Sequence, residues 1–209
     1  MHWFLRTRVL TCCGVALFLL SGCLGSTPPT HFYLLPSMNG GDTALPVSAA
    51  QRDLILAVGP VTVPPYLDRA QLVTRTSRAK LALADFDQWG GPLADTIARV
   101  LLEDLSLLIP MEQGVLFPWQ RAIDPDYQVT VDVLQFDRDS GNQVVLAARW
   151  NLLDRDGKVL VMRKSRITLA AGGSDYEAMA TAMGHTLETL SQDIATALLA
   201  LEPPAPRRQ

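Results

Sequence analysis

Three long stretches in the second half of the chain predict β-strands. They run from Tyr127 to Phe136, from Val144 to Leu152 and from Lys158 to Leu169. In the first two, apolar side chains recur at every second position, which places them on one face of a strand. The two connections, residues 137–142 and 154–157, contain Asp and Gly, which are typical of turns. The pattern therefore predicts an antiparallel meander.

Shorter apolar runs predict further strands in the first half, at His31–Leu35, Gln71–Ser77 and Lys80–Leu83. Leu54–Val58 is almost continuously apolar, as expected of a strand that is buried on both faces. Val61–Val63 lies between prolines, which cannot donate a hydrogen bond to a neighbouring strand. We therefore expect an edge strand or a loop at that position.

Two segments carry apolar residues at helical spacing. The first begins near Pro92, a residue suited to the first turn of a helix, and extends to Leu108. In the second, Ser174 as N-cap and Glu177 three residues later match a capping box, and the apolar face extends to Leu201. Two helices can cover a sheet, so these elements predict a single α/β domain.

The first residues have the pattern of an export signal. Arg6 and Arg8 precede an apolar run from Val9 to Leu20, which is shorter than the ~20 residues of a membrane-spanning helix. Leu-Ser-Gly then leads to Cys23, and this sequence resembles the lipobox of bacterial lipoproteins. The resemblance implies cleavage before Cys23 and lipid on its thiol. The alternative is a short membrane anchor with an incidental cysteine.

On this interpretation the chain has four parts. They are a signal peptide at 1–22, a lipidated tether at 23–30, the single domain at 31–201 and a flexible tail at 202–209. Each buried methylene of an acyl chain contributes about 0.8 kcal/mol, so two or three chains on one residue give a lasting anchor. We therefore expect the protein to be held at a membrane by lipid.

Charge and cysteine content restrict the partners of the mature chain. Removal of the signal peptide takes two arginines from the 18 Lys and Arg, which leaves 16 against 21 Asp and Glu and a net charge of about −5. This balance argues against nucleic acid as a partner and against peripheral binding to anionic lipid. Cys23 is the one cysteine that remains, and lipid would occupy it, so we expect no disulfide and no cysteine-ligated metal.

Residues suited to catalysis are sparse in the mature sequence. Its histidines are His31, near the tether, and His185, on the last predicted helix. The motifs of a nucleophile elbow, a zinc protease, a P-loop and a dinucleotide-binding loop are missing. Asp85 and Asp87 form a carboxylate pair that we expect in a solvated loop before Trp89. We therefore predict a non-enzymatic protein without cofactor or metal.

Several short blocks follow one another in a characteristic order. They are Phe32–Pro36, Val58–Arg69 with Gln71–Arg75, Phe86–Trp89 leading to Pro92 and Leu93, Phe136 and Trp150 in the meander, and Asp175–Glu177. In this order they resemble the PqiC/YmbA lipoproteins, the family of ABC-type transport auxiliary lipoproteins. The resemblance covers nearly the whole mature chain, and none of the blocks is catalytic.

The resemblance implies a three-layer α/β sandwich with a mixed, partly antiparallel sheet and two main helices. It also implies a component of an envelope lipid-transport system that supports membrane integrity. The implied partners are an inner-membrane component and an MCE-domain protein that bridges the periplasm. Whether the chain also forms a homo-oligomer is left open. Lipoproteins retained in the inner membrane typically carry Asp after the lipidated cysteine, whereas this chain has Leu24. We therefore expect the protein to be anchored at the periplasmic face of the outer membrane.

The candidate surface for binding the partner is one short segment, made of Pro64, Pro65, Tyr66, Leu67, Asp68 and Arg69. Prolines reduce the entropy that a segment loses on binding, and tyrosine and arginine are favoured interface anchors. The alternative is that Tyr66 and Leu67 pack into the core, as aromatic and apolar groups often do. We expect Trp89, just before an amphipathic helix, in the core.

Two other functions stay open at the level of sequence. The first is a structural or regulatory lipoprotein that binds another envelope protein, such as a cell-wall synthase. The second is a periplasmic hydrolase with a site that known motifs do not reveal. A neighbouring gene for an MCE protein would favour lipid transport, whereas copurification with a synthase would favour the regulatory role.

Overall fold

The structure of the chain, a computed structural model, describes residues 28–39, 54–120 and 122–201. The predicted signal peptide, Cys23 and the tail at 202–209 lie outside these residues. Residues 28–30, the end of the predicted tether, have no regular secondary structure and lead directly into the first strand.

Eight strands of the described residues form one mixed sheet. They are β1 (His31–Tyr33), β2 (Ile55–Thr62), β3 (Gln71–Ser77), β4 (Lys80–Trp89), β5 (Gln113–Leu116), β6 (Tyr127–Arg138), β7 (Gln143–Asp154) and β8 (Val159–Ala170). The last three form the predicted antiparallel meander. β2 runs parallel to both β5 and β6, and its first four residues are buried, as predicted for this strand.

The sheet divides at β6. One edge of β6 pairs with β7 along its whole length. The other edge pairs with β2 as far as Asp132 and then, at Arg138, with β3. β3 continues to β4 and β4 to β1, so β1, β5 and β8 are the outer strands of the sheet. Val61 and Thr62 pair with β6 but not with β5, which agrees with the expected edge position.

The described residues also form two helices, α1 (Leu93–Leu108) and α2 (Tyr176–Leu199). α1 follows Pro92, as the sequence predicts. Both helices contribute to a single apolar core with Val129, Val131 and Val133, alternate residues that lie on one face of β6. The helices also contact each other directly. They therefore share one face of the sheet.

The α/β class, the mixed sheet and the two main helices are confirmed. The described helices lie side by side, contact each other and cover one face of the sheet. Both apolar helix faces are buried in one core cluster, α1 against β2 and β5 and α2 mainly against β7 and β8.

Trp150 and Phe136 are the largest side chains that are fully buried in this core. The indole N–H of Trp150 donates to Ser165 Oγ at 3.1 Å, and the Ser165 hydroxyl donates to Asp193 Oδ2 at 3.0 Å. A buried indole needs such a partner for its N–H. The chain of hydrogen bonds connects β7, β8 and α2.

Two local predictions were wrong, and one strand was missed. β4 extends to Trp89, so Asp85 and Asp87 belong to a strand and not to a loop, because β4 pairs with β3 on one edge and with β1 on the other. β5 was not predicted. The N-cap of α2 is Asp175 and not Ser174, since the Asp175 carboxylate accepts the Ala178 N–H at 2.7 Å.

Candidate functional site

The candidate contact segment forms a tight loop between β2 and β3. The Leu67 N–H donates to the Pro64 carbonyl, and the Arg69 N–H donates to the Leu67 carbonyl, both at 2.9 Å. Leu67 is 3% exposed and belongs to the core. Pro65, Asp68 and Arg69 are exposed to solvent. The loop therefore presents a different set of side chains from the full segment that the sequence suggests.

Tyr66 fixes this loop to the sheet. Its ring is half-buried against the core, and its hydroxyl donates to Asp137 Oδ2 at 2.9 Å. The guanidinium of Arg75 lies 5.7 Å from the centre of the Tyr66 ring, within the range of a cation–π interaction. Tyr66 thus joins the loop to both β3 and β6.

Asp137 is fully buried, and its partners satisfy it. Arg75 donates to both carboxylate oxygens, from Nη2 at 2.7 Å and from Nε at 3.2 Å. Gln135 Nε2 donates to Oδ1 at 2.9 Å, in addition to the Tyr66 hydroxyl on Oδ2. A bidentate contact of this kind is among the stronger hydrogen-bonded pairs in proteins. We refer to Tyr66, Arg75, Gln135 and Asp137 as the loop anchor.

The electrostatics of the loop anchor favour a structural role. Burial and the neighbouring Asp137 carboxylate raise the pKa of Tyr66 to about 12. The hydrogen bond to Asp137 likewise raises the pKa of Arg75 above its usual value. At neutral pH the phenol is therefore a neutral donor and the guanidinium a cation, and neither exchanges protons readily. The loop anchor holds the loop in place and does not provide an acid or a base.

An open hollow of about 410 Å³ lies between the loop and the connection from β4 to α1. Asp68 and Arg69 contribute to its wall. The lining consists of Phe32, Asp68, Arg69, Ala70, Trp89, Gly90, Gly91 and Pro92. Trp89 is 5% exposed and belongs to the core, as predicted.

Gly90, in the lining of this hollow, contacts the segment at the end of β1. Its N–H donates to the Tyr33 carbonyl at 2.9 Å. A Cβ at this position would lie 2.9 Å from Leu34 Cδ2, closer than ordinary van der Waals contact. Because that atom is the end of an exposed and flexible side chain, it can move aside, and the contact alone does not require glycine here.

His31 and His185 belong to different parts of the fold and do not form a common site. His31 is exposed, with Nδ1 at 3.2 Å from Asp87 Oδ1, and the same oxygen accepts the Tyr33 hydroxyl at 2.8 Å. His185 is exposed on α2. Within residues 28–39, 54–120 and 122–201, no three His, Cys, Asp or Glu side chains are grouped so as to hold a metal ion. In the same ranges, no helix has the length and apolar character needed to cross a membrane.

Comparisons with known proteins agree on one family. The sequence profile of the ABC-type transport auxiliary lipoprotein component matches residues 33–195. The intermembrane transport lipoprotein PqiC of Escherichia coli K12 is 28% identical over 165 residues, which cover 79% of this chain and 84% of that protein. PqiC of Shigella flexneri matches with the same identity and coverage.

Two crystal structures share the fold. One, of an uncharacterized protein, has a TM-score of 0.67 at 23% identity and covers 82% of this chain and 99% of that one. The other, of a protein from Xanthomonas campestris, has a TM-score of 0.67 at 16% identity and covers 81% of this chain and 95% of that one. At these identities the likeness extends to the fold alone.

Proposed function

Because the chain belongs to the family of ABC-type transport auxiliary lipoproteins, we propose that it docks an MCE-domain partner at the outer membrane and so supports membrane integrity. The protein acts without catalysis, as an attachment point held by lipid on Cys23. The observation that carries the proposal is the match of residues 33–195, nearly the whole domain, to this family. The relatives named intermembrane transport lipoproteins support transport between membranes as the process it serves.

The docking surface is the exposed side of the loop, with the hollow beside it. Pro65 stiffens the loop, and Asp68 and Arg69 offer one acidic and one basic group to a partner. Leu67 in the core and Tyr66 in the loop anchor keep the loop in one conformation before binding. Binding to such a preformed surface loses little conformational entropy. Tyr66 is therefore a positioning residue, and Asp68 and Arg69 make the contact.

A double substitution separates contact from folding. Asp68→Ala with Arg69→Ala removes both charged groups and leaves the loop anchor intact. Asp156→Ala with Lys158→Ala is the matched control, because it removes an exposed acid and an exposed base from the β7–β8 turn. Pull-down of a tagged MCE-domain protein from the same bacterium should be lost in the first variant and kept in the control, with equal circular dichroism.

Two further measurements complete the test. Tyr66→Phe removes the hydroxyl that binds Asp137 and should weaken pull-down less than the double substitution, since Asp68 and Arg69 remain. Cys23→Ser should release the protein from membranes in a salt-washed fractionation. Retained pull-down by the Asp68 and Arg69 variant would exclude the loop as the docking surface. Capture of a cell-wall synthase instead of an MCE protein would favour the regulatory alternative.

A further inference from the structure

Two large apolar side chains face solvent on and just after β1. Phe32 is 68% exposed and Leu34 is 66% exposed. The intervening Tyr33 and the following Leu35 point inward, since Tyr33 binds Asp87 and Leu35 is 5% exposed. The outward positions of an edge strand are usually polar or charged in a soluble protein. The apolar side chains at these two positions therefore need a physical reason.

A third apolar side chain extends this surface. Phe32 pairs with Gln88 of β4, and Phe86, two residues earlier on β4, is 36% exposed. Diagonal neighbours on adjacent strands lie about 7–8 Å apart, within reach of aromatic side chains. We call Phe32, Leu34 and Phe86 the apolar edge patch. β1 is an outer strand of the sheet, so among the described residues no further strand covers it on that side.

The position of the apolar edge patch in the chain points to its occupant. Phe32 follows Cys23 by nine residues, and nine residues span about 30 Å at most when fully extended. We propose that the apolar edge patch rests in the surface of the phospholipid bilayer that anchors Cys23, and that this second contact holds the domain in one orientation. The inference rests on the proposed lipidation of Cys23.

The charges around the patch permit this contact. His31 is adjacent to Asp87, and Asp68 and Arg69 on the wall of the hollow have opposite signs. Asp68 and Arg69 cancel, and the Asp87 carboxylate is uncompensated when His31 is neutral, so these four side chains carry about −1 of the net charge of about −5 of the mature chain. A second copy of the chain must reach the patch by diffusion, whereas the tether keeps the bilayer within reach at all times. One lipid-modified residue leaves a domain free to turn, and apolar side chains at the interface restrict that motion.

The test uses tryptophan as a depth probe in the lipidated full-length protein. Phe32→Trp places the probe in the patch, and Met162→Trp is the matched control, since Met162 is 73% exposed on the outer strand β8. Each variant is reconstituted into vesicles of phosphatidylethanolamine and phosphatidylglycerol with brominated acyl chains. The bromine should quench the probe at position 32, and the apolar surroundings of the indole should shift its emission to the blue. The probe at position 162 should respond like the parent protein.

A second variant gives an independent result. Phe32→Ser with Leu34→Ser, in a background of Cys23→Ser, should bind the same vesicles about tenfold more weakly than the Cys23→Ser protein alone. Mass spectrometry of the Cys23 peptide and pull-down of the MCE partner are measured in parallel. Unquenched emission at position 32 with lipid present on Cys23 would overturn the membrane contact and leave the proposed function intact. A blue shift without quenching, together with a dimer in light scattering, would assign the patch to a second copy and overturn it as well.

Discussion

Replacing Asp104 with alanine should loosen the attachment of the N-terminal segment to both helices. The Asp104 side chain is 0% exposed and accepts the Met38 N–H at 2.8 Å and the Ser191 hydroxyl at 3.0 Å. Asp104 lies on α1, Ser191 on α2 and Met38 in the segment after β1. One carboxylate therefore joins three separate parts of the chain, and Asp104→Ala leaves both donors without their acceptor.

The expected loss follows from the cost of unpaired donors. A buried donor without an acceptor costs about 1–3 kcal/mol. Met38 is half-buried, and the Ser191 hydroxyl can turn toward a carbonyl of its own helix, so the lower half of this range applies to each. With two such donors, Asp104→Ala should therefore lower the free energy of unfolding by about 2–4 kcal/mol. Asp104→Asn keeps an acceptor for Met38 and gains a donor for Ser191 Oγ, so its effect should be small.

The pH dependence of the free energy of unfolding gives a second, independent test of Asp104. Burial raises the pKa of Asp104 above its usual value, although the hydrogen bonds from Met38 and Ser191 oppose that rise. A carboxyl whose folded pKa is raised contributes stability that is complete below the unfolded pKa and is lost as the pH rises through the folded pKa. The parent protein should therefore lose stability relative to Asp104→Asn as the pH increases from the ordinary aspartate pKa of about 4.

Urea unfolding at several pH values measures both effects. The mature chain with Cys23→Ser serves as the common background, and the slope against urea should stay constant. An Asp104→Ala variant with the parent's midpoint would refute the role of the carboxylate as a junction. A difference between the parent and Asp104→Asn that does not change with pH would refute the raised pKa.

Two further substitutions test local features of α2. Asp175→Ala should lower the urea midpoint and Ser174→Ala should not, because the Ala178 N–H binds the Asp175 carboxylate. That bond holds the pKa of Asp175 below its usual value, so the contribution of the cap should fade as the pH falls through the folded pKa. Gly184→Ala should lower the melting temperature, since the new Cβ would lie 2.6 Å from both Cγ and O of Pro36. At an open helix position the same change would stabilise by about 1 kcal/mol, so a raised melting temperature would show that Pro36 moves aside.

The sequence predicted the elements whose signals are local. Alternating valines marked β6, a proline at the first turn marked α1, and the turn residues of the meander gave the order of the last three strands. β5 was missed because its four residues are ordered by parallel pairing with β2 and not by their own composition. The second half of β4 was missed for a related reason, since it lies between β3 and β1.

The cap of α2 and the loop anchor illustrate the limit in detail. Ser174 and Asp175 are both residue types that can cap a helix. In the fold, Arg138 donates hydrogen bonds to the carbonyls of both residues, at 2.8 Å and 2.9 Å. In the candidate site, the exposed charges of the loop were predicted, but Asp137 was not. Its partners Tyr66 and Arg75 are 71 and 62 residues away in sequence. A local sequence pattern cannot predict a buried carboxylate whose burial depends on such distant residues.

We expect the chain to be exported through its N-terminal signal, and the division of the sheet at β6 then has a consequence for its folding. A chain that emerges from the translocation channel with its N-terminus first delivers β1 to β5 before the strand that joins them. β2 can pair with β6 only after Tyr127, the pairing partner of Leu56, has emerged. Such non-local parallel pairing is slow to form. β6, β7 and β8 are neighbours in sequence and can pair soon after they emerge. The N-terminal half of the sheet therefore stays incomplete until the C-terminal half of the chain has emerged. During that time its apolar strands are exposed and can aggregate or bind chaperones.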